Sequence, residues 1–101
     1  MTNFPKWMKE NEDGTFTVTT RHGEYIMEEQ TEEVVQSCTK LSDKVKVPVE
    51  SLLAVRSIVS DDKITDNDFL KLKGSVSTRL KMAVTYLYDL GDFLPAHAGD
   101  Q

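Results

Sequence analysis

The chain has 101 residues, 39% of them hydrophobic, and a formal net charge of −5 at pH 7. That is one domain's worth of polypeptide, and three prolines with five glycines are too few for a low-complexity segment. No apolar run approaches the ~18–20 residues of a membrane-spanning helix, and the N-terminal MTNFPKWMKE lacks the apolar stretch of a secretory signal. A small soluble protein is expected. Its lone Cys38 allows no internal disulfide, so the core must hold the fold unaided and a reducing cytosol is the natural compartment. A sequence pI near 4.9 argues against nucleic acid and anionic membrane as partners.

Residues 1–14 are polar apart from Phe4, Pro5, Trp7 and Met8, and Pro5 with the Asn11-Glu12-Asp13-Gly14 cluster disfavours regular structure. A partly flexible arm is expected there, with Trp7 able to pin it to the body. From Thr15 the period changes to two: Thr15-Phe16-Thr17-Val18-Thr19-Thr20, then Glu24-Tyr25-Ile26-Met27-Glu28 after Arg21-His22-Gly23. A His22-Gly23 turn would pair Thr20 with Tyr25 and Val18 with Met27. That register sets Phe16, Val18, Tyr25 and Met27 on one face. A single hairpin is not stable alone in water, so helices must cover its apolar face.

Thr31 reads as an N-cap, with Glu32 and Glu33 in the first turn, where the helix dipole favours acids. Val34, Cys38, Leu41 and Val45 then recur at helical spacing. Pro48 suits the first residue of a second helix carrying Val49, Leu52, Leu53, Val55, Ile58 and Val59. After a polar loop at 60–63, Thr65 and Asp68 form a variant of the capping box. They lead a short helix with Phe69, Leu70 and Leu72, which Gly74 is expected to stop. Ser75 or Ser77 caps a final amphipathic helix over about 75–90, ended by Gly91 at C′, and 95–101 is expected to be a disordered tail. The fold class is thus α+β: an N-terminal antiparallel β-hairpin and three or four helices packed on one face, as a single domain over 15–94.

No Gly-rich phosphate loop, zinc-ligand spacing or nucleophile elbow occurs in the sequence. Cys38 falls on the apolar face of its helix, where a free thiol is core rather than nucleophile. His22 and His97 belong to a turn and the tail, so a metal site joining them to Cys38 would need an improbable convergence. The acids Asp61, Asp62, Asp66 and Asp68, with Asn67, lack the alternating ligands, central glycine and terminal glutamate of a calcium loop. No enzymatic activity, cofactor or metal is expected, which leaves the surface.

Charge is unevenly placed there. Residues 1–33 carry three bases against eight acids, whereas 69–88 contains Lys71, Lys73, Arg79 and Lys81 and no acid. This is either electrostatic complementarity, within the molecule or between copies, or a solvated surface of uneven composition. The last helix adds a second apolar row, Met82, Tyr86 and Leu90, beside its main stripe of Leu80, Ala83, Val84 and Leu87. A helix apolar over so much of its circumference is either the centre of a core or docked on both sides.

Asp13-Gly14-Thr15-Phe16-Thr17-Val18, followed by Tyr25-Ile26-Met27-Glu28-Glu29-Gln30-Thr31, resembles the opening of the tail assembly chaperones of long-tailed bacteriophages. Ile64-Thr65-Asp66-Asn67-Asp68-Phe69-Leu70-Lys71-Leu72, leading to a helix that ends Tyr86-Leu87-Tyr88-Asp89-Leu90, resembles the same family. The likeness covers about residues 13–94. The chain departs from the family at Gln30, where many relatives have proline, and in its loosely apolar arm.

The resemblance implies a protein of the host bacterial cytoplasm, absent from the mature virion. It implies binding to the hydrophobic, helical tape measure protein, which is kept soluble and extended until tail tube subunits polymerise around it. Tape measure protein is then the expected partner, tail tube protein a further one, and self-association is expected as well. On this reading Val76, Leu80, Met82, Val84, Tyr86 and Leu90 form the protein-binding helix, with Lys71, Lys73, Arg79 and Lys81 as its polar surround. The alternative is a small acidic phage inhibitor that mimics nucleic acid against a host enzyme through Glu24, Glu28, Glu29, Glu32 and Glu33.

Overall fold

A computed structural model describes residues 4–60 and 63–90. Strands β1 (Met8–Glu10), β2 (Phe16–Thr20) and β3 (Gly23–Met27) precede helices α1 (Glu32–Val45), α2 (Val49–Ser57), α3 (Asp66–Phe69) and α4 (Gly74–Leu87). The sheet is antiparallel with order β1-β2-β3. The fold is therefore α+β, as the periodicities require, with one strand more than the expected hairpin.

That extra strand corrects the reading of residues 1–14 as an arm without regular structure. Met8 pairs with Val18 and Glu10 with Phe16. The cluster that disfavours regular structure makes the connecting turn. Gly14 takes φ +89° and donates to the Asn11 carbonyl at 3.1 Å, while Asp13 Oδ1 accepts from the Thr15 amide and hydroxyl at 3.0 and 2.7 Å. A loop that ends on a left-handed glycine folds the chain back into a hairpin, and Met8 enters the core at 3% exposure. The two Thr15 hydrogen bonds, the hydroxyl's first, hold the Asp13 carboxyl below its ordinary pKa.

The β2–β3 turn also differs from expectation. Arg21 and His22 form the loop, and Gly23 pairs with Thr20, Tyr25 with Val18 and Met27 with Phe16. The Thr20 hydroxyl decides this, accepting from the His22 amide at 3.1 Å and donating to the Gly23 carbonyl at 2.7 Å. The slip relative to the expected pairing is an even number of residues. Phe16, Val18, Tyr25 and Met27 therefore still share a face.

Helices cover that face. Leu52, Leu53 and Ala54 of α2 and Leu80, Ala83 and Val84 of α4 join Phe16, Val18 and Met27 in one core, with Cys38 of α1 and Phe69 of α3. α2 is the helix buried on most sides, since Ser51 and Ser57 are buried along with its apolar residues. Pro48 is its N-cap rather than its first residue. Beyond α2 the chain turns extended: Ile58 bridges Met27, and the Val59 amide donates to the Ile26 carbonyl at 2.8 Å.

The helix ends show which local signals hold. Thr31 is the N-cap of α1 by position, but its side chain makes no capping bond. Thr65 and Asp68 form the full reciprocal capping box on α3, as expected. Gly74 begins α4 rather than stopping α3. Lys73, not Ser75 or Ser77, stands at the α4 N-cap, its carbonyl accepting from the Val76 and Ser77 amides. α4 ends at Leu87, before the expected 90. Asp89 at φ +56° provides the left-handed residue, with the Leu90 amide donating to the Thr85 carbonyl at 2.8 Å and the Asp89 amide to that of Tyr86 at 3.3 Å. Gly91 and the expected tail lie outside the described residues.

A three-way junction joins the ends of α2, α4 and β3. The Gln30 amide donates to the Tyr88 hydroxyl at 2.9 Å, and that hydroxyl lies 2.6 Å from Ser57 Oγ, which is fully buried.

Candidate functional site

The ten residues expected to form a binding helix and its surround are divided by the structure. Val76, Leu80 and Val84 are at most 3% exposed and belong to the core, closed to any partner. This corrects their reading as a docking face: α4 lies across the sheet and uses its main stripe there. The second row is largely satisfied internally too. Tyr86 packs edge-on to Trp7, with ring centroids 6.0 Å apart, and lies 6.4 Å from Phe4. Leu90 is half-buried against the core. Only Met82 of the apolar six is open to solvent, beside Lys81 in a shallow hollow with Pro48 and Glu50.

The basic surround is divided as well. The Arg79 guanidinium lies 4.5 Å from the Trp7 ring centroid and donates to the Thr19 carbonyl at 3.0 Å, so it ties the N-terminal segment to the sheet. Trp7 thus pins its segment as expected, held by Arg79. Lys71 and Lys73 are exposed.

The apolar surface that remains free lies elsewhere. Leu70 is 68% exposed and Val45 46% exposed, the two most exposed large hydrophobic residues described. Both line one groove of about 290 Å³. Leu41, Val45 and Val47 form the wall from the end of α1, Phe69 and Leu70 the wall from α3, Leu52 and Val55 line it from α2, and Ser51, Asp66 and Asn67 are its polar members. Its volume exceeds the ~150 Å³ cavity that holds a benzene, leaving room for roughly two large apolar side chains.

Three structural devices shape the groove. Lys46 closes α1 in the left-handed conformation at φ +61°, and the Ser42 hydroxyl donates to the Val47 carbonyl at 2.6 Å, turning the chain so that Val45 and Val47 share one wall. The capping box fixes the start of α3 and hence Phe69. Arg56 grips Asp66 through two bonds, at 2.8 and 3.2 Å, which ties α2 to α3 and neutralises the carboxylate on the groove lining. Donating to the Asp66 carboxylate holds the Arg56 guanidinium above its ordinary pKa.

Cys38 is fully buried, and burial pushes its thiol up, away from the thiolate a nucleophile requires. Among the described residues no group of three or more His, Cys, Asp and Glu is placed to hold a metal ion. Asp61, Asp62 and His97 lie outside them. No helix among the described residues is long and apolar enough to cross a membrane. The carboxylates of Glu24, Glu28, Glu29, Glu32 and Glu33 all belong to exposed residues around β3 and the start of α1.

The chain matches no family model, no curated protein and no solved structure.

Proposed function

We propose that the protein is an assembly chaperone of the phage-tail type, which holds apolar helical stretches of the tape measure protein in the groove between α1, α2 and α3. The observation that carries this reading is the exposure of Leu70 and Val45, the two most exposed large hydrophobic residues described, on one largely apolar groove. A helix laid in such a groove gains from a few anchors and leaves readily, which suits a coat that tube subunits must displace. Net negative charge favours solubility of many copies along one strand of cargo. The action belongs to the host cytoplasm and ends before the virion is complete. Self-association and contact with tail tube protein are part of the same proposal.

Co-expression with segments of the tape measure protein tests it. The wild-type chain should raise the soluble fraction of at least one apolar helical segment several-fold. Leu70→Asp with Val45→Asp should lose that effect while keeping the native circular dichroism and melting temperature. Failure of the wild-type chain on every segment, or equal action by the groove variant, would refute the reading. Light scattering over a wide concentration range tests self-association in parallel.

The exposed carboxylates around β3 and α1 favour one second reading, an acidic inhibitor that mimics nucleic acid on a host enzyme. Reversing Glu24, Glu28, Glu29, Glu32 and Glu33 to lysine separates the two. It should abolish a mimic and leave groove binding of an apolar helix in place.

A further inference from the structure

We infer that the occupant of the α1–α2–α3 groove is an amphipathic helix of another protein whose apolar face is flanked by carboxylates, read by Lys44, Lys46 and Lys71. This rests on the groove reading above and adds the chemistry of the bound segment.

The argument for a helix begins with the lining. Leu41, Val45, Val47, Leu52, Val55, Phe69 and Leu70 offer only apolar side chains, Asp66 is already engaged by Arg56, and Ser51 and Asn67 are the two neutral polar residues of the lining. Two neutral polar side chains cannot pair the backbone of a whole segment, so a segment lying there must satisfy most of its own backbone hydrogen bonds, and a single linear segment does so as a helix. The available volume accepts about two large side chains, the number that one helix face presents at i and i+4.

The argument for acidic flanks comes from charge placement. Val45 lies between Lys44 and Lys46 in the chain, and Leu70 is followed by Lys71, all three lysines being exposed. At about 100° per residue, Lys44 lies roughly 60° around α1 from Leu41, at the rim of the groove. Asp43 lies roughly 200° from Leu41 by the same rotation, on the opposite side of the helix. The nearby acids of α3 are already engaged. Asp66 is paired with Arg56, and the Asp68 carboxylate accepts from the Thr65 amide at 3.2 Å. Lys71 adds its field to Asp68, yet among the described residues none of the three lysines forms an ion pair. The groove is thus largely apolar within, and exposed lysines adjoin its lining residues in the chain at both walls, on a molecule whose total charge is negative. That field selects a partner with negative flanks and disfavours one with positive flanks.

Two fluorescein-labelled helical peptides of about 18 residues provide the test, with the same Leu/Ala face and either Glu or Lys at the flanking positions. Each exposed contact is individually weak, so three together should give the full chain about a tenfold preference for the Glu peptide in fluorescence anisotropy at low salt. The preference should shrink in 0.5 M NaCl (about half a molar, where screening acts within several ångströms). It should reverse in the Lys44→Glu, Lys46→Glu, Lys71→Glu variant, while the uncharged Leu70→Ser should weaken both peptides equally. Equal affinities, a preference for the Lys peptide, or a preference that charge reversal does not move would overturn the assignment of acidic flanks while leaving apolar docking intact. Binding of neither peptide would overturn the groove reading and this inference together. The salt titration needs only the wild-type chain, so the inference stays open to refutation even if the reversed variant fails to fold.

Discussion

Replacing Tyr88 by phenylalanine removes one oxygen and opens the junction of three chain segments. Tyr88 accepts from the Gln30 amide at 2.9 Å and so has its own hydrogen available for Ser57 Oγ at 2.6 Å. In the variant Ser57 Oγ, on a fully buried residue, loses the only hydrogen-bond partner described for it, and the Gln30 amide loses its acceptor. A buried polar group left unpaired costs about 1–3 kcal/mol, and the Gln30 amide, only partly buried, belongs at the low end. The expected loss is therefore about 2–3 kcal/mol, a large share of the ~5–15 kcal/mol that stabilises a domain of this size. Ser57→Ala should cost less, about 1 kcal/mol, because Tyr88 keeps its bond from Gln30. The double variant should fall short of the sum by about 1 kcal/mol.

Urea unfolding followed by Trp7 fluorescence and circular dichroism measures all three variants. A Tyr88→Phe loss below about 0.5 kcal/mol, or strict additivity, would refute the reasoning. The same side chain sets an alkaline slope. Burial is the leading cause that raises the Tyr88 phenol above its ordinary 10.0, with the bonds from Ser57 and Gln30 opposing it. The folded state then keeps a proton that the unfolded chain has lost. This contribution is complete below about pH 10 and falls away as pH rises through the folded value. Wild type should therefore lose stability more steeply above pH 10 (about the unfolded tyrosine value) than Tyr88→Phe does.

Two further outcomes follow from the backbone and the N-terminal segment. Lys46 and Asp89 both hold positive φ, so Lys46→Gly should raise stability by about 0.5–1 kcal/mol and Asp89→Gly by less, since aspartate tolerates that region better. Thermal melts check this, and a fall in melting temperature for Lys46→Gly would contradict it. Arg79→Ala should cost about 1 kcal/mol and shift the Trp7 emission maximum, because the guanidinium leaves the ring face and the Thr19 carbonyl. An unchanged spectrum would mean that Arg79 does not hold Trp7 in solution.

Several elements were legible in the sequence because they depend on local rules. Alternation placed Phe16, Val18, Tyr25 and Met27 together, and that result survived a wrong turn because an even slip preserves faces. The Thr65–Asp68 box is a matter of hydrogen-bond chemistry over one turn, and it formed as read. β1 was hidden because three residues with one buried side chain carry no period; its conformation comes from pairing with β2. The start of α4 was hidden because Gly74 resembles a stop and no capping side chain marks the site. The groove was least visible of all. Its two most exposed residues, Val45 and Leu70, end separate helical segments; spacing puts Val45 in one row with Val34, Cys38 and Leu41, but does not tell that Cys38 is buried while Val45 stays uncovered. The apolar rows of α4 stand out in the sequence although Val76, Leu80 and Val84 are buried, because periodicity measures how apolar a face is, not what covers it.

The bridge from Ile58 and Val59 to β3 has a consequence for how this molecule meets others. Val59 takes up the Ile26 carbonyl and Ser57 the Glu28 amide, so the C-terminal end of one margin of the sheet is already bonded. The opposite margin is β1, only three residues long, bearing Lys9 and Glu10 and preceded by Pro5. A short, charged margin is a poor template for strand addition, and so is one already bonded. Copies of the chain are thereby discouraged from joining sheet to sheet, whatever their concentration.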